Sequence, residues 1–274
     1  MNVPENAPKS KTGSVIAAIV AGTRDRLPEL RRSAGGLERA AARRPAPPSF
    51  RDALAPGPRL GLIAEVKRRS PSGGDIARRL DPAEHAKAYA AAGAAAVSVL
   101  TEPAHFGGSI ADLTAVAAQV SLPVLRKDFI IDELQLVEAR AAGAAAALLI
   151  VRVLSLAELR QLLLRCDALG LGALVEAHTA AEVDIALEAG ASVIGVNSRD
   201  LDDLTIDRRA AWALLARIPA DRVAVAESGI SSADDAELAA AAGADAVLVG
   251  SALSRATAPA ALAASINGVR RRGR

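Results

Sequence analysis

Four short aliphatic runs recur along the chain: Ala96-Val97-Ser98-Val99-Leu100, Ala147-Leu148-Leu149-Ile150-Val151, Val193-Ile194-Gly195-Val196 and Ala246-Val247-Leu248-Val249. They lack the apolar/polar alternation of a strand with one wet face and predict strands buried on both. Each follows the same small tag, Ala92-Gly93-Ala94, Ala142-Gly143-Ala144, Ala189-Gly190-Ala191 and Ala242-Gly243-Ala244, at intervals of roughly 50 residues. Upstream of each tag, within His85 to Ala92, Leu134 to Ala142, Val183 to Ala189 and Leu238 to Ala242, apolar positions fall at helical spacing, so the glycine sits where a helix ends in a left-handed cap. Four more strand candidates lie between (Leu62 to Val66, Val124-Leu125, Ala173-Leu174-Val175 and Val223-Ala224-Val225), which halves the repeat to about 25 residues. Strands and helices alternating at that period predict βαβ units, and eight of them predict an α/β fold of the (β/α)8 TIM-barrel type. An open doubly wound sheet is the alternative, because periodicity alone does not show closure.

Residues 1–58 precede the first strand and 59–274 form the barrel in this reading. Ile16, Ile19, Val20 and Leu27 have amphipathic helical spacing, and the polar continuation Thr23 to Arg26 suits a helix better than a secretory leader. The extension is expected to be partly helical, to cover the floor or rim of the barrel, and to begin with a disordered dozen residues. No apolar run approaches the roughly 20 residues needed to cross a bilayer, so no membrane partner is expected.

Composition narrows the function. The chain has 274 residues, 51% of them hydrophobic, yet only three Phe, one Tyr and one Trp. Stacking platforms for single-stranded nucleic acid are therefore not expected. A net charge of +2 implies no polyanionic partner, and Arg270-Arg271-Arg272 reads as a solvated end. One cysteine, Cys166, and three scattered histidines exclude a disulfide framework and a standard zinc site and fit a reducing, cytoplasmic setting. Cys166 itself reads as a small buried hydrophobe in the helical run Leu156 to Leu169.

Barrel chemistry belongs at the C-terminal ends of the strands. There the sequence places Glu65 and Lys67 with the loop Arg68 to Gly74, then Arg126-Lys127-Asp128-Phe129, Glu176, Asn197-Ser198-Arg199-Asp200, Glu227-Ser228-Gly229 and Gly250-Ser251. Any one of these charges could be an ordinary ion pair, Glu65 with Lys67 or Arg199 with Asp200. Ionisable groups at so many strand ends, where an unpaired inward charge is costly, instead predict one shared site. After the last two strands, Gly229 and Gly250 permit close backbone approach, and Ser231-Ser232-Ala233-Asp234-Asp235 and Ser251-Ala252-Leu253 each open a helix whose amides could face a phosphate, with a hydroxyl from Ser70. His178 reads as a loop histidine, His85 as helical and His105 as lying in a loop. Phe129 and the loop Phe106-Gly107-Gly108-Ser109 could supply an apolar wall and a flexible lid. The residues thus point to a barrel enzyme for a small phosphorylated anion, working by lysine and glutamate acid/base chemistry without metal; a Schiff-base aldolase using Lys127 and a catalytically silent barrel are the rivals.

Longer motifs carry a resemblance. Ile63-Ala64-Glu65-Val66-Lys67-Arg68-Arg69-Ser70-Pro71-Ser72-Gly73, Ser98-Val99-Leu100-Thr101-Glu102-Pro103, Leu122-Pro123-Val124-Leu125-Arg126-Lys127-Asp128-Phe129-Ile130, Leu174-Val175-Glu176-Ala177-His178, Gly195-Val196-Asn197-Ser198-Arg199-Asp200-Leu201 and Ala226-Glu227-Ser228-Gly229-Ile230 resemble the indole-3-glycerol phosphate synthase family in order and content. The resemblance implies closure, decarboxylation and dehydration of 1-(2-carboxyphenylamino)-1-deoxyribulose 5-phosphate, a step of tryptophan biosynthesis, with no cofactor. It implies Lys127 as proton donor, Lys67 on the substrate carboxylate, Glu65 and Glu176 as the acidic pair, and Asn197 and Ser228 beside them. Phe129, Arg199 and Glu227 would contact substrate, and Ser70, Gly229, Gly250 and Ser251 would hold its phosphate. Gly73-Gly74 stands where the family often has lysine, and Asp202 to Thr205 looks short for its loop. No second barrel follows, so fusion to phosphoribosylanthranilate isomerase is not expected, and a monomer is favoured over an oligomer.

Overall fold

The computed structural model describes residues 15–55, 57–71, 73–77, 80–200 and 203–273. The expected disorder at the N-terminus falls largely outside them, as do Ser72, Leu201 and Asp202. Eight parallel strands close into a barrel: β1 Gly61–Val66, β2 Ala96–Leu100, β3 Val124–Lys127, β4 Ala146–Ile150, β5 Gly172–Ala177, β6 Val193–Asn197, β7 Val223–Glu227 and β8 Ala246–Val249. β8 pairs back onto β1 through Gly61 with Ala246 and Ala64 with Val249, and that pairing excludes the open sheet. The tagged glycines all have positive φ; Gly143 and Gly190 are left-handed helix caps, and Gly93 and Gly243 follow caps at Ala92 and Ala242.

Alternation within each strand sorts side chains into two cores. Leu62, Ala64 and Val66 of β1 face the surrounding helices, while Ile63 points into the barrel with Leu125 of β3, Leu174 of β5 and Val225 of β7. Two residues further along each of these four strands, the inward position carries Glu65, Lys127, Glu176 or Glu227. The even strands offer Leu100, Ile150, Gly195 and Gly250 to the same region. Charge from one set of strands and apolar or empty positions from the other make a polar bed without unpaired crowding.

The extension contributes three helices, α1 Val15–Arg32, α2 Ala34–Arg43 and α3 Phe50–Leu54. α3 plugs the floor, where Phe50 and Leu54 are buried and lie against the first residues of β5 and β1. α1 buries Ile16, Ile19, Val20 and Leu27 and reaches the rim, its Arg31 pairing with Asp132 at 2.9 Å. In the arginine tail Arg270 and Arg272 are exposed as expected, but Arg271 is not free in solvent: its Nε donates to buried Asp245 at 2.6 Å and its backbone N–H donates to Pro58. No helix among the described residues is long and apolar enough to cross a membrane. Cys166 is buried in the helix Leu156–Leu169, and burial pushes its thiol up to about 12. A thiol-specific reagent is therefore expected to leave the native protein unlabelled and to react only on denaturation, as an absorbance assay would record.

Candidate active site

A cleft of about 1010 Å³, counting the solvent at its mouth, opens at the C-terminal ends of the strands. Glu65, Lys67, Ser70, Lys127, Phe129, Glu176, Asn197, Arg199, Glu227, Ser228, Gly229, Gly250 and Ser251 line it, whereas Arg126, Ser198, Asp200 and the segment 231–235 do not. At its base the Lys127 ammonium stands 3.1 Å from Glu176 Oε2 and 3.6 Å from Glu227 Oε2. Beside it Lys67 Nζ meets Glu65 Oε1 at 2.6 Å. The pairing of Glu65 with Lys67 thus exists, but inside the cleft. Arg199 does not pair with Asp200; it donates to the carbonyl of Leu204 at 2.9 Å, and Asp200 faces Arg152 at 3.6 Å.

Burial and neighbouring charge divide these groups. Burial alone would drive Lys127 towards the neutral amine, but Glu176, Glu227 and Glu65 outweigh it and hold the ammonium above the usual lysine range. Glu176 and Glu227 are each 1% exposed and tightly coupled. Glu176 stays ionised against its own desolvation because Lys127, His178 and a hydrogen bond from Asn197 lower its pKa. Glu227 goes the other way: burial and the adjacent Glu176 charge raise it well above the ordinary carboxylate range despite Lys127. Two carboxyls with diverging proton affinity stand 3.1 and 3.6 Å from one ammonium, a set able to supply an acid, a base and a cation.

Two glycines make room for this arrangement. A Cβ at Gly195 would overlap Glu227 Oε1, and one at Gly250 would overlap Glu65 Oε1. Gly195 was not singled out by sequence, although a glycine inside an aliphatic strand is a signal for close approach. Gly195→Ala is expected to displace the Glu227 carboxyl and lower turnover by roughly tenfold, while far-ultraviolet circular dichroism stays native.

Along the same rim, Ser228 and Gly229 are consecutive left-handed residues at φ 65° and 74°, and the helix Ser251–Arg255 starts at Gly250 with no side-chain cap. The helix Ala233–Ala241 is different from expectation: the N–H groups of Ser231 and Asp235 are already bound by Asp235 and Ser232, so they are spent on capping. Ser70 is buried, and its hydroxyl accepts the N–H of Gly73 at 3.0 Å.

Phe106 and Phe129, ring centroids 6.5 Å apart, form the apolar wall with Leu100, Leu148 and Ile150. Backbone contacts hold the segment after Phe106 against the barrel top. Gly107 caps a short helix, Pro103–Phe106, that holds His105, and Gly108 donates to Glu102 at 3.0 Å while lying so close to Leu100 that a Cβ would strike its carbonyl. Glu102 also borders the cleft, but its carboxylate is committed to the three amides of residues 104–106.

Fold and cleft together define a (β/α)8 barrel whose C-terminal cleft gathers Lys67 and Lys127 with the buried Glu65, Glu176 and Glu227 beside glycine backbone. The family model for indole-3-glycerol phosphate synthase matches residues 16–266, and the chain belongs to that family of carboxy-lyases. It is 50% identical over 242 residues to indole-3-glycerol phosphate synthase of Saccharopolyspora erythraea, covering 88% of this chain and 90% of that one. It is 46% identical over 255 residues to the Mycobacterium ulcerans protein of the same name, covering 92% and 93%. Among solved structures, a 3-hexulose-6-phosphate synthase superposes with a TM-score of 0.62 at 19% identity over 76% of this chain and 98% of its own, a likeness of fold alone.

Proposed function

We infer that this chain closes the indole ring of indole-3-glycerol phosphate from 1-(2-carboxyphenylamino)-1-deoxyribulose 5-phosphate, releasing carbon dioxide and water. The observation that carries the reading is the Lys127 ammonium held between Glu176 and Glu227 in a cleft also lined by Gly229 and Gly250.

The anilino ring is a weak nucleophile, so the ketone it attacks must be polarised. Lys127 supplies the proton and its positive charge meets the developing oxyanion. Lys67 holds the aromatic carboxylate until it leaves as carbon dioxide, and Glu65 keeps Lys67 in place. Glu176 takes the proton lost from the carbon beside nitrogen as the ring becomes aromatic. Glu227, whose hold on a proton burial and the Glu176 charge strengthen, serves as hydrogen-bond donor to a substrate hydroxyl. Asn197 orients Glu176, Arg199 and Ser228 face the sugar chain, and Phe129 covers the aromatic ring. Ser70 and the backbone of Gly229, Gly250 and Ser251 receive the phosphate.

Lys127 is poorly suited to the aldolase alternative, since a Schiff-base nucleophile must be a neutral amine and three carboxylates favour the ammonium. The test is incubation with the carboxyphenylamino deoxyribulose phosphate: indole fluorescence should appear and borohydride should trap no adduct. A borohydride adduct on Lys127, or no fluorescent product, would remove the reading.

A further inference from the structure

His178 is buried, with its side chain 3% exposed, and no step above uses it. It lies one residue beyond β5, and both ring nitrogens face carboxylates. Nδ1 is 3.2 Å from Glu182 Oε2, which also accepts the His178 backbone N–H at 2.6 Å. An ionised carboxylate only accepts, so Nδ1 carries hydrogen and Nε2 is the atom left to face Glu176. Nε2 has no hydrogen-bond partner and stands 3.5 Å from Glu176 Oε1, the oxygen that Lys127 does not hold. Behind the ring, Glu182 is fixed by Arg152 at 3.2 Å, and Arg152 faces Asp200 at 3.6 Å. A second cavity is lined by His178 itself together with Arg152, Thr179, Asn197, Asp200 and Asp207.

We propose that His178 is a second proton carrier, taking at Nε2 the proton that Glu176 collects from the substrate and returning it when oxygen departs as water. In the outward step the H–Oε1 bond of Glu176 breaks and an H–Nε2 bond forms. Glu176 regains its charge opposite Lys127, and the imidazolium keeps its Nδ1–H on Glu182. The return reverses both bonds, so the relay neither gains nor loses a proton. The physical need is local. A protonated Glu176 would remove the charge nearest the Lys127 ammonium, whereas a proton parked on His178 sits between two carboxylates.

The inference rests on the ring-closing reading, and one set of experiments separates their failures. His178→Gln and His178→Ala are expected to lower kcat by roughly tenfold or more with KM within about twofold, and to slow further in deuterium oxide than the unaltered protein does. Imidazole added to His178→Ala, entering from the second cavity, should restore part of the lost kcat. Unaltered kcat in His178→Gln overturns the relay, as does a folded His178→Ala whose lost kcat imidazole does not restore. If neither variant folds, Glu182→Gln decides: reduced kcat at retained KM supports the relay and unaltered kinetics overturn it. An unaltered protein that makes no indole product overturns the ring-closing reading, and the relay with it.

Discussion

Lys127→Ala is expected to lower kcat by roughly 10² to 10⁴ while KM changes little, because general-acid catalysis and charge stabilisation are lost but the phosphate edge is untouched. The ammonium lies on an inward position of β3, 14% exposed, and its two nearest charged partners are the carboxyls of Glu176 and Glu227. Its removal also strips the main support for an ionised Glu176, whose pKa should rise towards or past the ordinary carboxylate range. Both groups needed for proton transfer are then impaired by one change. Breaking a buried charge set by deleting one partner costs about 3 to 5 kcal/mol, so Lys127→Met, which keeps the volume, is the control for folding. Product fluorescence at saturating substrate measures the effect in both variants, and turnover near that of the unaltered protein would remove Lys127 from the role of proton donor.

Glu176→Gln is expected to reduce kcat by roughly 10² to 10³ with KM within about threefold. The amide keeps the size of the side chain and can still accept from Lys127 through its oxygen, but it cannot take a proton from carbon. It also removes the negative charge that contributes most to raising Glu227, so that carboxyl should ionise more readily and act less well as a donor. An effect confined to KM would mean that Glu176 binds substrate and leaves the proton to Glu65 or Glu227. The separate consequence for Lys127 is a weaker pull on its proton, since Glu176 is the largest single charge acting to retain it.

Part of this site could be read before the fold was known because the chemistry follows the same two-residue rhythm as the barrel interior. Ile63-x-Glu65, Leu125-x-Lys127, Leu174-x-Glu176 and Val225-x-Glu227 each step from a core aliphatic to an ionisable group on the same side of a strand. Strand parity makes such a pair visible in one dimension. His178 follows Glu176 at the same two-residue spacing just beyond β5, yet its two partners come from β5 and the following helix at once. A lone histidine in a loop carries no sign of which carboxylates its ring nitrogens will meet. The same limit applied to Ser231 and Ser232, whose serine-rich helix start fits an anion site or a self-capped helix equally well until Asp235 is seen to occupy the amides.

The amino-acid sequence alone determined that eight aliphatic runs alternate with helices and that charge gathers at the ends of those runs, since both follow from local periodicity and from the cost of burying an unpaired ion. Only the tertiary structure decided which charges meet. Barrel closure brings β1, β3, β5 and β7 around one axis, so Lys127 reaches Glu176 across 49 positions of chain and Gly195 opens the space that Glu227 fills. Those distances depend on strand register and tilt, which are set by the packing of the whole ring and are written in no single segment.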